Sequence, residues 1–341
     1  MPFIKEIERF NSLSIVGMAK NTGKTTCLNY VMRRLQEEGI NLAVTSIGVD
    51  GEERDVLYDT PKPRITLSEQ MVFVTAEEDF AKREFPAEVL DTSERSTPLG
   101  RLVTARAKGC GKVVLSGPSD SKWLHEVICS MEKYGVRLTL VDGALSRMSL
   151  ASPAVTDSMI LCTGAACSAQ LSQLIHITKF RCNLINLEKV DTTLYNQLIN
   201  LENNVWQWRE DSNTWERIGE SLFTLDNGSV ERLHMIYVGG AVTNDFLKLL
   251  GSRKSTAMQL IVRDFTKLFV EPAVYDKFIR RGGTIKVLQK AKLLAVCTNP
   301  LSPEGARLHP IMLREQMQEA LQLPVYDIME IEGVNILKDG E

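Results

Sequence analysis

The stretch Gly17-Met18-Ala19-Lys20-Asn21-Thr22-Gly23-Lys24-Thr25-Thr26 constrains this chain more than any other part of it. The apolar run 13–16 precedes it. An amphipathic segment follows, with Leu28, Val31, Met32 and Leu35 at i, i+3, i+4 and i+7. Arg33, Arg34, Glu37 and Glu38 fall off that stripe, and Gly39 supplies a helix stop. The pattern predicts a buried strand, a glycine-bounded turn and a helix. In that arrangement successive backbone N–H groups and the positive end of the helix face a polyphosphate. The lysine of Gly-Lys-Thr reaches the β and γ phosphates, and the hydroxyl after it holds Mg2+. This assigns Gly17, Ala19, Lys20, Asn21, Thr22, Gly23, Lys24, Thr25 and Thr26 to nucleotide binding, Lys24 also to catalysis, and Thr25 to the metal. A second apolar run, 42–47, follows directly, so 12–48 reads as a βαβ unit. The expected fold is α/β, a phosphate-loop NTPase with a mostly parallel sheet flanked by helices.

Carboxylates at the ends of later strands complete the expectation. The run 136–141 ends in Asp142-Gly143-Ala144, an apolar strand delivering an aspartate that orders Mg2+ and its waters. Asp142 is therefore a second catalytic candidate and a metal candidate, with Gly143 letting backbone pass close to the nucleotide. Asp50, with Glu52 behind it, lies in a polar segment after the second strand, and is either a further Mg2+ ligand or part of a solvated acidic turn. Arg147 is either a phosphate contact or a surface arginine, and Thr163 either lines the site or belongs to a plain turn. Asn299, at the end of the run 293–297, stands where a base-reading residue is expected.

The bulk chemistry excludes several classes. A net charge of −3 and a pI near 6.0 provide no basic field for nonspecific nucleic-acid binding. No apolar run approaches the ~20 residues that span a bilayer. The mixed, charged start of the chain has no secretory leader pattern, so a cytoplasmic protein is expected. The 7 cysteines are scattered and form no Cys-x-x-Cys, which reads as small apolar residues in a reducing compartment rather than a zinc or redox pair.

Along the chain, 71–75 reads as a short buried strand and 76–98 as charged, irregular surface. Strands are expected at 112–116 and 154–162, and a helix at 171–178 carrying His176 as a packed or surface residue. Around 190–220 the character changes. Val205-Trp206-Gln207-Trp208 and Thr214-Trp215-Glu216-Arg217 flank a polar turn and predict a hairpin, whose tryptophans either dock a partner or pack over a core edge. A nucleotide-binding domain over 1–190 is therefore expected, followed by a C-terminal α/β domain over 191–341 with a small β-hairpin, with one continuous fold as the alternative. Strands at 235–238, 259–262, 284–287 and 325–329 and a helix from His309-Pro310 to Leu321 fill the last third. Gly239-Gly240 lacks the rest of a dinucleotide fingerprint.

Three stretches together carry a family resemblance: the loop 17–26; Ser46-Ile47-Gly48-Val49-Asp50-Gly51-Glu52 with Lys62-Pro63-Arg64-Ile65; and Asp142-Gly143-Ala144-Leu145 with Thr163-Gly164-Ala165. They resemble the ATP-binding reactivase subunit of adenosylcobalamin-dependent lysine or ornithine aminomutases, within the dethiobiotin synthetase-like ATPases. The five residues between Gly17 and Gly23, where four are usual, are similar to the latter group. Lys20 lies one position from the signature lysine of the related partition ATPases, and is either such a contact or a solvated lysine near phosphates. The resemblance implies ATP and Mg2+ as ligands, with an aminomutase, a second reactivase subunit and a further copy of the chain as partners. It implies a cycle in which nucleotide orders 48–65 and 143–150 and hydrolysis releases them, so that a damaged cobalamin leaves the mutase. No Asp-x-His-x-x-Gly cobalamin motif is present. The alternative is a dethiobiotin synthetase-like ligase acting on a small carboxylate or amine. A nucleotide-gated metal-insertion protein is disfavoured by the lack of His- or Cys-rich tracts.

Overall fold

In the computed structural model the described residues are 2–48, 54–55, 60–61, 65–118, 120–144, 155–219, 234–251 and 258–331. Asp50, Glu52, Lys62, Arg64 and Arg147 lie outside them. The strand Ser12–Gly17 is buried along its whole length, as expected of a parallel strand covered on both faces. It sits in a sheet of nine described strands. Their order is Val325–Asp327, Lys292–Asn299, Ser158–Gly164, Ser12–Gly17, Leu138–Ala144, Leu42–Ser46, Val72–Ala76, Gly100–Ala107 and Ala87–Thr97. The first seven run parallel. The last two add antiparallel pairs at one edge. The protein is thus α/β, with mixed, mostly parallel sheets flanked by helices.

Alternation along the strands directs side chains into two layers. Leu13, Ile15, Val44, Phe73 and Leu140 pack with Leu28, Val31, Met32 and Leu35 of the helix Lys24–Glu37 and with Phe3, Ile4 and Ile7 of the helix Pro2–Ile7. Each such apolar side chain, fully buried, contributes roughly 1.5–3 kcal/mol. Val141, Ile47 and Val155 pack instead with Leu124 and Ile128 of the helix Ser121–Ser130. Asp120 caps that helix by accepting from Trp123 N at 2.8 Å. Gly39 and Gly135 take φ of 74° and 75° where their helices stop, values that favour glycine.

Contacts divide the chain into two units, 1–176 with 292–341, and 177–291. The strands Lys292–Asn299 and Val325–Asp327 therefore belong to the first sheet although they come last in sequence. The second unit has its own sheet, in the order Glu188–Lys189, Thr284–Val287, Gln259–Val262, Met235–Val238, Val205–Arg209 and Thr214–Gly219. The first four are parallel, and the tryptophan hairpin closes one edge antiparallel. Trp206 and Trp215 pack against the cluster of Leu198, Tyr237 and Ile261, and Trp215 Nε1 donates to Gln197 Oε1 at 3.1 Å. Of the two readings of these tryptophans, packing over a core edge describes this pair.

Two expectations fail: the strand at 325–329 ends at Asp327 and gives way to the helix Ile328–Ile331, and the stretch 76–98 is ordered. Residues 76–98 are not irregular: they form the helix Glu77–Ala81 and the eleven-residue strand Ala87–Thr97, paired with Gly100–Ala107. The strand lies at the sheet edge, and of its residues only Thr97 is buried, so it lacks the apolar alternation that reveals half-buried strands.

Candidate functional site

Parallel strands end on one side of a sheet. Gly17, Ser46, Ala144, Gly164 and Asn299 all close their strands on this carboxyl edge. The loop 18–23 rises from it and turns into the helix Lys24–Glu37. Two residues bend the loop through the left-handed region, Asn21 at φ 61° and Gly23 at φ 83°. A Cβ on Gly17 would meet Thr22 Oγ1 at 2.7 Å and Ala19 O at 3.1 Å. The turn therefore closes too tightly for a side chain there. The Thr22 hydroxyl, 1% exposed, fastens it by donating to Ala19 O at 3.0 Å.

Neighbouring strands hold this shape. Met18 N donates to Cys162 O at 2.8 Å. Asn299 Nδ2 donates to Asn21 O at 2.9 Å, while Asn299 Oδ1 accepts from Leu301 N at 3.1 Å. Both ends of the Asn299 amide are thus engaged by the chain itself, and the residue braces the loop. Ile328 packs below Gly23: its Cγ2 lies 2.8 Å from where a Cβ would stand. Beside it, Asp327 accepts from Met329 N and Glu330 N at 2.8 and 3.3 Å. Burial pushes the Asp327 carboxyl above its ordinary range, and those two N–H groups pull it back only in part.

Ala19, Lys20 and Asn21 are exposed, and Lys24, Thr25 and Thr26 half-buried. The loop thus offers an open crest above the start of a helix of 14 residues, whose first N–H groups have no intrahelical acceptor. Lys24 opens that helix. Its Nζ stands 3.0 Å from Asp142 Oδ1, the two side chains being 25% and 16% exposed. Asp142 comes from the strand adjacent to the loop strand, in register with Ile15 on one side and Ser46 on the other. The contact is ionic without hydrogen-bond alignment, for Asp142 Oδ1 is a buried oxygen that accepts no hydrogen bond among the described residues.

Thr163 is fully buried at the end of its strand, and an added Cβ on Gly164 would run into the Asn299 carbonyl. The second glycine-rich strand end thus serves close packing of two strands. His176 is exposed on the helix Leu171–Ile185, a surface histidine. Reasoning from sequence did not anticipate a lacing beside Ser46. Gly48 N donates to Pro118 O at 2.9 Å, and Gly117 N to Gly48 O at 3.2 Å. A Cβ on Gly117 would overlap the Ser46 carbonyl, and the Gly-Pro pair at 117–118 is the available signal for so close an approach. Among the described residues no three His, Cys, Asp or Glu side chains converge as a metal site. None of the described helices is long and apolar enough to cross a membrane.

No protein-family model, curated protein or solved structure matches this chain.

Proposed function

We propose that the chain binds and hydrolyses Mg-ATP at the loop 17–26, in the manner of a phosphate-loop NTPase. The observation that carries this reading is the Lys24–Asp142 pair, 3.0 Å apart at the mouth of a glycine-bounded turn. A buried carboxylate oxygen without a hydrogen-bond donor among the described residues suits a cation or its bound water, so the residues present fit Mg2+. Thr25 and Asp142 would hold it, and Asp50 is the further candidate for that set. When bound, Mg2+ neutralises charge on the β and γ phosphates.

Loop N–H groups and the start of the helix Lys24–Glu37 bind the phosphates. Lys24 would exchange its carboxylate partner for phosphate oxygen, and Asp142, released from the lysine, would be one of the residues that hold Mg2+. Catalysis of this kind is positioning and charge stabilisation, for which a braced loop is suited. Lys20, on the exposed crest, offers a second cation to the nucleotide.

Hydrolysis is proposed to drive release of damaged cobalamin from an adenosylcobalamin-dependent aminomutase in the cytoplasm, with a second reactivase subunit as partner. The three resembling stretches support this part, and the exchange of ion partners at Lys24 supplies a nucleotide-dependent change. Calorimetry with ATP and Mg2+, followed by turnover assays with and without an aminomutase, tests both parts. Binding with turnover stimulated by the mutase is expected. Absence of heat with any nucleoside triphosphate ends the ATP reading. Turnover that needs a small carboxylate or amine instead of the mutase ends the reactivase reading in favour of a ligase.

A further inference from the structure

Three thiols meet beneath the loop. Cys27 lies in the first turn of the helix Lys24–Glu37, Cys162 is in register with both Gly17 and Cys297, and all three are at most 1% exposed. Cys27 Sγ donates to Cys297 Sγ at 3.6 Å, and Cys162 stands beside Cys297 on the neighbouring strand. The trio joins the two sides of the candidate site. Cys27 follows Lys24 by one helical turn, and Cys297 precedes Asn299, the loop's brace, on the same strand. Nothing in the proposed nucleotide chemistry uses these sulfurs.

We infer that Cys27 and Cys297 are a redox modification site, forming a reversible intramolecular disulfide when a peroxide oxidises the protein, and that this bond loosens the loop's hold on nucleotide. The second half rests on the Mg-ATP reading; the first does not.

The chemistry balances on the two thiols and one peroxide. Cys297 attacks a peroxide oxygen, the O–O bond breaks, and a sulfenic acid and one water result. The Cys27 sulfur then attacks the sulfenic sulfur; the S–S bond forms, the S–O bond breaks and a second water leaves. Two electrons from two thiols reduce one hydrogen peroxide to two waters, and a thiol reductant reverses the bond by exchange. The two sulfurs can exchange these roles without altering the balance. Burial opposes the thiolate at both. A disulfide needs sulfurs about 2.05 Å apart, so the present 3.6 Å must close by roughly 1.5 Å. That closure draws the first turn of the helix, with Lys24 and Thr25, toward the strand. Burial also means that the oxidant enters through local opening of the helix, which a bound polyphosphate opposes.

The test uses the full chain with the two exposed cysteines replaced, Cys110→Ser and Cys129→Ser. The protein is treated with hydrogen peroxide, quenched with N-ethylmaleimide and mapped without reduction. Trypsin separates the three thiols into peptides 25–33, 148–179 and 293–307. The expected product joins 25–33 to 293–307, disappears with dithiothreitol and forms more slowly with Mg-ATP present. ATP turnover of the oxidised protein should fall by about 100-fold, as displacement of positioning groups by about 1 Å does, and recover on reduction. Free thiols in both peptides after full peroxide treatment, or cross-links made only through 148–179, overturn the assignment. Unchanged turnover in fully cross-linked protein overturns the control. The cross-link is scored without nucleotide, so failure of the reduced protein to bind ATP strikes the nucleotide reading alone.

Discussion

Lys24 Nζ, at the start of a helix, and Asp142 Oδ1, near the end of the strand Leu138–Ala144, face each other at 3.0 Å, and the lysine is the aspartate oxygen's charged neighbour rather than its hydrogen-bond donor. A carboxylate left partly desolvated and unbonded is costly unless a cation or water completes it. The two side chains therefore belong together energetically, and what separates them must offer each a better partner. A triphosphate with its metal does that for both.

Truncating either residue tests this pairing apart from catalysis. Lys24→Ala leaves the Asp142 oxygen without its cation and should destabilise the ligand-free protein by about 1–3 kcal/mol. Lys24→Ala with Asp142→Ala should cost less than the sum of the two, with a coupling of about 0.5–3 kcal/mol in denaturant melts. ATP turnover should be lost in Lys24→Ala. In Asp142→Ala, Mg2+-dependent turnover should fall further than nucleotide affinity does. Wild-type turnover in Lys24→Ala would remove the site assignment.

Gly17 and Gly143 make a matched pair of substitutions. A Cβ at Gly17 collides with Thr22 Oγ1 and Ala19 O, whereas at Gly143 its nearest neighbour is Val16 Cγ2 at 3.7 Å, an ordinary contact. Gly17→Ala should therefore force the loop open, costing about 1–3 kcal/mol and abolishing nucleotide binding. Gly143→Ala should change stability by no more than about 0.5 kcal/mol. If the nucleotide passes close to Gly143, this variant should still bind more weakly in calorimetry.

Much of this region is legible in sequence because its determinants are local. The stripe of Leu28, Val31, Met32 and Leu35 and the stop at Gly39 define a helix within a few turns, and the structure has it at Lys24–Glu37. The adjacency of the strands carrying Gly17 and Asp142 is a property of strand order, which no local pattern encodes. The same limit hides the return of the chain into its first sheet at Lys292–Asn299, and with it the meeting of Cys27, Cys162 and Cys297. Each of these cysteines reads singly as a small buried residue, which burial in the core bears out. Their convergence depends on three elements distant in sequence. The edge strand Ala87–Thr97 escapes notice for the opposite reason, since its exposed side chains impose no period.

Asn299 tests whether the residue reads a base or holds the loop. Asn299→Ala removes the bonds to Asn21 O and Leu301 N and should cost about 1–3 kcal/mol, since the loop's left-handed turn at Asn21 loses its external support. A brace makes the loss indifferent to the base, so ATP and GTP should weaken by the same factor in competition binding. A changed ATP-to-GTP ratio would instead assign Asn299 to base recognition.

Asp327 gives the fold a pH dependence whose sign follows from its surroundings. Burial, the larger influence, raises its folded-state pKa above the unfolded value, and the N–H groups of Met329 and Glu330 offset part of that rise. A raised carboxyl contributes stability that is fully present below the unfolded pKa and is lost as pH rises through the folded pKa. At neutral pH the ionised, buried group is therefore a net cost. Asp327→Asn keeps an oxygen to accept from the same N–H groups and removes the charge. The variant should melt at a higher temperature than wild type at pH 7, and the gap should narrow as the pH is lowered below the Asp327 pKa. Because Ile328 packs against Gly23, stiffening this segment should also leave ATP affinity unchanged or improved. A gap that widens on acidification would show that the N–H bonds outweigh burial at this carboxyl, reversing the sign argued here.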